Sequence, residues 1–153
     1  MDTIDLVVLC PEMPELAICA SWRAEAFGVL KASPEQELLA LRAFTADQRS
    51  QVALVARHNG RAAGTCLLVP SEIDPNHAVT PWLAGLYVEP AHRRHGVGAA
   101  LVHGIQRAAL QRGHRRLFLY THTAVGFYQS LGWTIADRTD WNGRDTALMA
   151  IDL

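Results

Sequence analysis

Short apolar runs alternate along this chain with segments whose apolar positions recur at three and four residues, a pattern that lays out strands and helices in turn. Ile4 to Leu9 is an apolar run that predicts a strand, and Cys10-Pro11 ends it, because proline has no N–H to give to a ladder. From Pro14 to Phe27 the apolar residues Leu16, Ile18, Ala20, Trp22, Ala24 and Phe27 mix with Arg23 and Glu25; the segment predicts a helix, with Gly28 as its end signal. Ser33-Pro34-Glu35-Gln36 places a capping serine, a proline at the first helical position and a glutamine at the capping-box offset, so a second helix is expected to about Phe44.

Gln51 to Arg57 and Ala62 to Val69 read as strands around His58-Asn59-Gly60-Arg61, whose Asn-Gly pair predicts a tight antiparallel hairpin. Pro70 to Pro81 crowds Ser71, Asp74, Pro75, Asn76 and Pro81 together and reads as a loop long enough to lie beside a binding site. Trp82 to Val88 is a strand, Gly96 to Arg112 a helix ended by Gly113, and Arg116 to Thr121 another strand, an order that implies a right-handed parallel crossover. The tail gives a short helix over Ala124 to Leu131, ended by Gly132, then strands over Trp133 to Arg138 and Thr146 to Asp152 around Asn142-Gly143. With no internal repeat or linker, the 153 residues are expected to form one α/β domain around a mixed sheet.

Composition narrows the partners. Half of the residues are apolar, enough for a sizeable core, and the formal net charge of −1 offers no overall field toward nucleic acid or an anionic membrane. Cys10, Cys19 and Cys66 form no close pair and none of the short spacings of a zinc site, which implies a reduced, cytoplasmic protein. Asp2 and Asp5 stand where a secretory leader would be basic, and no apolar run approaches the ~20 residues that span a bilayer.

The stretch from Leu86 to Leu101 joins a strand to a helix and carries Gly96-Val97-Gly98. Two glycines one residue apart let backbone approach a ligand closely, and the first amides of the helix that follows lack intrahelical partners. The combination is an anion cradle, beside which Arg93, Arg94 and His95 add donors. A dinucleotide fingerprint would need a third glycine where Leu101 stands, and a nucleotide P-loop would need a lysine that the region lacks. A solvated glycine turn with a basic face is the plain alternative for an isolated Gly-x-Gly.

The same stretch resembles the GCN5-related N-acetyltransferase family, whose motif of arginine or glutamine, two residues, glycine, one residue, then glycine or alanine is met by Arg93-Arg94-His95-Gly96-Val97-Gly98. The strand Leu86-Tyr87-Val88-Glu89-Pro90 precedes it as in many members. About thirty residues later, Ala124 to Trp133 looks like the family's short helix before an aromatic-led strand. The resemblance implies a mostly antiparallel sheet with one central parallel β-α-β crossover and helices on both faces. It implies acetyl-CoA as co-substrate, with Leu86, Tyr87 and Val88 facing its acetyl and pantetheine end. Arg93 lies in the same motif, and Arg94, His95, Gly96, Val97, Gly98 and Ala99 would cradle the pyrophosphate. Family sites open a V-shaped gap between the strand ending near Val88 and the strand Arg116 to Thr121. Thr121 stands where some relatives carry a polar amide, a departure at one cofactor contact.

The implied reaction is transfer of an acetyl group from the thioester to a primary amine, borne by a small molecule, a protein or a peptide. Tyr128 falls where the family often places a phenol near the sulfur and is the expected proton donor, its alternative being an aromatic packed beside Phe127. An amide near Tyr87 or Val88 would receive the oxyanion. Glu89 and His122 are the candidate bases; the first could instead cap the loop before Pro90, the second be a plain loop residue. His92 and His95 are three apart, but Glu89 is the only local acid, and no metal is expected. Trp82 and Trp141 border loops and could line the acceptor pocket. Two rival functions stay open: a non-catalytic acyl-CoA-binding module and a nucleotide-binding α/β domain. Members of the family dimerise in several ways, so the oligomeric state is open too.

Overall fold

Among the described residues, seven strands and four α-helices carry the fold: β1 (Ile4–Val8), α1 (Glu15–Ala26), α2 (Pro34–Ala46), β2 (Val52–His58), β3 (Arg61–Val69), β4 (Trp82–Val88), α3 (Val97–Gln111), β5 (Arg116–Thr121), α4 (Val125–Ser130), β6 (Thr134–Trp141) and β7 (Arg144–Asp152). They are seen in a computed structural model that describes residues 2–27 and 33–153. The strands form one sheet in the order β1-β2-β3-β4-β5-β7-β6. Neighbours are antiparallel except β4 and β5, which run parallel and are joined through α3. The mixed, mostly antiparallel sheet expected from the sequence is thus present. No helix among the described residues is long and apolar enough to cross a membrane.

The first five residues of β2, Val52 to Ala56, are all apolar because both faces of the strand are covered there. Val52, Leu54 and Ala56 pack into the cluster around α3 with Leu101, Ile105, Leu117 and Met149. Ala53 and Val55 point the other way, toward Leu16, Cys19, Ala20 and Trp22 of α1 and Leu41 of α2. The uneven pattern of the first helix resolves here: its buried stripe is Leu16, Cys19, Ala20 and Trp22, whereas Ile18 and Phe27 are exposed. A cysteine completes the helical spacing that the aliphatic residues alone leave broken. Gly28, its expected end signal, lies outside the described residues. The second helix starts as expected, with the Ser33 hydroxyl accepting from the Gln36 amide and the Gln36 side chain accepting from the Ser33 amide.

Both Asn-Gly turns adopt the left-handed pair that closes a two-residue hairpin, with φ of 53° and 81° at Asn59 and Gly60 and 55° and 79° at Asn142 and Gly143. The second hairpin is longer than its apolar pattern implies. Thr139, Asp140 and Trp141 pair with Thr146, Asp145 and Arg144, extending both strands to the turn. β6 is an edge strand, exposed along most of its length, and its polar residues carry no alternation for a sequence reading to find.

The site is positioned by what happens along β4. Trp82 pairs with Phe118 of β5, the one register pair between these strands, with the Phe118 amide bonded to the Pro81 carbonyl just before it. Beyond that point β4 takes on one more residue than β3: Thr65 faces Tyr87 and Leu67 faces Ala84, so two steps on β3 match three on β4. Such a bulge bends the strand that carries it. Gly85 lies within it at φ 62°, and the Arg23 guanidinium occupies the space where a Cβ would stand, Nη1 only 2.5 Å from that position.

Gly85→Ala is therefore expected to destabilise the fold by about 1–3 kcal/mol through left-handed strain, with displacement of Arg23 adding to it. Gly126→Ala in α4, where nothing lies within 4 Å of the new methyl, should be neutral or stabilise by up to about 1 kcal/mol. Urea melts of the two variants check this contrast.

Burial pushes the Cys19 and Cys66 thiols up to about 12. The unfolded chain releases those protons from about pH 9 upward while the folded chain keeps them, so stability is full below that pH and falls as pH rises from there toward 12. Melting midpoints measured from pH 7 to 11 should decline, and less steeply in a Cys19→Ala, Cys66→Ala variant. A thiol reagent should find one reactive cysteine, Cys10, in native protein and three after denaturation.

Candidate functional site

Past Trp82 no strand of the described residues lies beside the β5-facing edge of β4, and the two strands diverge into a gap. On the other edge β4 is held by β3, with Val88 opposite Gly64 and the Glu89 amide bonded to the Ala63 carbonyl. Leu86, Tyr87 and Val88, all half-buried, form the wall of this gap. Its closed end is aromatic: the Trp82 ring is fully buried 4.7 Å from Tyr120, which stands 4.7 Å from Trp141. An extended chain laid into the gap finds free backbone on β4, the requirement for adding a strand.

At the open end the chain passes through one 3-10 turn, Pro90–His92, and enters α3 at Gly96. Arg94 and Gly96 both take positive φ, 67° and 84°, which curls the backbone into a nest of inward amides. The turn satisfies the amides of His92 and Arg93, and that of Ala100 bonds to the Gly96 carbonyl. Between them, the amides from Arg94 to Ala99 find no acceptor among the described residues. These are the positions picked out from the sequence, brought together at the positive end of a 15-residue helix. Such a set of open donors suits a pyrophosphate. Gly98 keeps the approach low: a Cβ there would stand 3.4 Å from the Phe127 ring and 3.7 Å from Val88.

Two of the basic side chains are engaged elsewhere. Arg93 donates from Nε to the Val88 carbonyl at 2.8 Å, with its guanidinium over the Tyr87 ring, so it braces the end of β4. His95 meets the Asp2 carboxylate through Nδ1 at 3.0 Å. The Arg94 side chain is exposed and has no ion-pair partner among the described residues.

Tyr128 is buried on the α3 side of the sheet, in one cluster with Cys66, Leu83 and Trp133. Phe127 and Trp133 present their ring edges to it at 5.0 and 5.8 Å. Burial, reinforced by the neighbouring Cys66, pushes its phenol well above the usual tyrosine range. The hydroxyl has no hydrogen-bond partner among the described residues, so its proton is free for another acceptor. Glu89 makes no side-chain capping bond to the turn that follows it. His122, just after β5, is exposed and held by Thr146 Oγ1 at 3.3 Å from Nδ1 and Arg144 Nη1 at 3.4 Å from Nε2.

A network that sequence reasoning did not find stands on the opposite face. His77 joins Tyr120 Oη, 2.7 Å from Nδ1, to Asp137 Oδ2, 2.8 Å from Nε2. The Asn76 amide donates to the same Tyr120 oxygen, and in the neutral ring that gives its Nε2–H to Asp137, Nδ1 accepts the phenol proton. That hydrogen bond holds the Asp137 carboxyl below its usual range. Asn76 also donates to Thr139 and to the Asp140 carbonyl, and the Trp141 indole donates to the Asp74 carbonyl, so loop 70–81 is strapped to β6. The loop was expected beside a binding site; its partners, more than 40 residues away in sequence, carry no local signal.

Comparison with known proteins agrees with this geometry. The description "Acetyltransferase (GNAT) family" matches residues 16–133. No curated protein sequence gives a significant match. Among solved structures, an aminoglycoside 6'-N-acetyltransferase complexed with coenzyme A superposes with a TM-score of 0.77 at 16% identity, covering 97% of this chain and 96% of its own. A GNAT-family acetyltransferase from Streptococcus pneumoniae gives 0.73 at 18% identity over 99% and 100%. The PaiA N-acetyltransferase from Thermoplasma acidophilum, in complex with coenzyme A, gives 0.69 at 20% over 99% of both chains. With the parallel pair splayed, the nest at the head of α3 and the family description spanning both, the chain belongs to the GNAT acetyltransferase family.

Proposed function

We propose that this protein transfers the acetyl group of acetyl-CoA to a primary amine by direct attack. The observation that carries the reading is the run of open amides from Arg94 to Ala99 at the mouth of the β4–β5 gap. A pyrophosphate on those amides places the pantetheine arm along the free edge of β4, its thioester between Tyr87 and the α4 side of the gap. In this reading an amide at Tyr87 or Val88 stabilises the oxyanion.

Attack forms the C–N bond and breaks the C–S bond, the amine proton leaves to a base, and the sulfur takes a proton or a hydrogen bond. Tyr128 serves the sulfur. Since burial raises its pKa, the phenol stays protonated across the working pH range and acts chiefly as a hydrogen-bond donor to the departing thiolate. Glu89, with no capping bond to occupy it, can take the amine proton directly or through water, and His122 can do so once its Nε2 is released from the Arg144 guanidinium. The acceptor approaches over the partly exposed rings of Tyr120 and Trp141, which the fully buried Trp82 supports from behind. Carboxylates at Glu72, Asp74, Asp137 and Asp140 border that approach and favour a cationic amine.

Incubation with acetyl-CoA and a panel of amines, following thiol release and product mass, should give N-acetylated product with at least one member. Tyr128→Phe should lower kcat by about 10²-fold or more while leaving the KM for acetyl-CoA within a few-fold. The variant should also show the same alkaline pH profile as wild type, because the phenol does not ionise there. Wild-type protein that binds acetyl-CoA and acetylates no amine in a broad panel would instead identify a non-catalytic acyl-CoA-binding module.

A further inference from the structure

Three imidazoles and one carboxylate, drawn from three separated segments, meet beside the amide nest. Asp2 precedes β1, His58 ends β2, His92 closes the 3-10 turn and His95 lies just before α3. The Asp2 carboxylate Oδ2 is 3.0 Å from His95 Nδ1 and 3.3 Å from His58 Nε2, and one ligand atom from each of the three residues lies within 4.8 Å of the others. The His58 and His95 ring centroids are 4.9 Å apart.

His58 is the informative member. Its ring is 5% exposed, yet among the described residues Nε2 finds no hydrogen bond, even with the Asp2 oxygen at 3.3 Å, so that oxygen lies off the nitrogen's axis. Buried polar atoms are rarely left this way. Atoms bound at ~2.0–2.1 Å to one tetrahedral zinc stand roughly 3.3 Å apart, each off the other's axis, because every lone pair points at the metal. On its far side His58 Nδ1 meets His92 Nδ1 at 2.8 Å. With Nε2 given to a metal, Nδ1 carries the ring proton and donates to His92, the outer-shell contact that fixes a ligand histidine's tautomer and orientation. Asp2 is steadied by the Asn59 amide group at Oδ1, and Thr3 and Asn59 exchange two further bonds, so the hairpin turn holds the carboxylate in place.

We propose that Asp2, His58 and His95 form a binding site for a divalent transition-metal ion of the zinc class, with His92 orienting His58. Two imidazoles and a carboxylate leave the fourth tetrahedral position to water or another donor. The ion would fasten the N-terminal segment and the β2–β3 turn to the loop that enters α3. Residue spacing alone could not reveal it, because Asp2 supplies the acid that the neighbourhood of His92 and His95 lacks. Metal binding is read directly, so this inference stands apart from the acetyl-transfer reading.

Untagged, chelator-treated full-length protein carrying Cys10→Ser, which removes the accessible thiol, should bind Co²⁺ at one equivalent. The visible absorption of a tetrahedral site should appear and be lost on adding Zn²⁺, and Zn²⁺ should raise the melting midpoint by several degrees. Asp2→Ala and His95→Ala, whose side chains are about half exposed and whose loss the fold should tolerate, should each weaken binding at least tenfold, whereas His103→Ala on the exposed face of α3 should not. Absence of one-equivalent binding, or binding that survives both substitutions unchanged, would show the cluster to be a hydrogen-bonded network only and overturn the proposal.

Discussion

The site depends on one backbone constraint: β4 has to pair with β5 at its first residue and then leave it. Trp82 opposite Phe118 anchors the parallel pair, and the bulge at Gly85 turns the rest of β4 away while β3 keeps its grip on the other edge. A sheet normally satisfies every ladder amide with another strand. Here one edge inside the sheet is left open, a cost the fold tolerates only where something else can supply the missing partner. The apolar cluster of Trp82, Phe118, Leu148 and Ala150 keeps the closed end shut, so the opening is a wedge and the sheet is not divided.

The amide nest continues the same logic. Left-handed residues at Arg94 and Gly96 turn consecutive amides inward just where the α3 dipole is positive, and no side chain of the described residues answers them. Arg93 and His95, which by type alone would be phosphate donors, are tied to the Val88 carbonyl and to Asp2. In the proposed reading, anion binding at this loop therefore falls chiefly to its backbone amides, while Arg93 braces the end of β4 through the Val88 carbonyl.

Much of this architecture was legible in the sequence, for identifiable reasons. The capping box at Ser33, the two Asn-Gly turns and the strand-to-helix glycines are local signals whose chemistry works within a few residues, and each forms as its residues dictate. The stripe of α1 was harder because Cys19 fills an aliphatic position, and the length of β6 was hidden because an exposed edge strand needs no alternation. The proposed cradle positions and Tyr128 lie in two short stretches, so a sequence reading could single them out as candidates. The His77–Tyr120–Asp137 network and the Asp2–His58–His95 cluster were not, since each joins residues that only the sheet order brings together. Sequence proximity reports local chemistry; these sites are long-range.

The central claim is that the open edge and the nest form one site for a thioester on a pyrophosphate-bearing arm. Calorimetric titration of purified protein with acetyl-CoA, with NAD as a pyrophosphate control lacking pantetheine, tests it most directly. The account predicts saturable one-to-one binding of acetyl-CoA and at least tenfold weaker binding of NAD, because only the former can fill the β4 edge as well as the nest. Equal binding of both would reduce the site to a phosphate cradle, and no binding of acetyl-CoA would contradict the account.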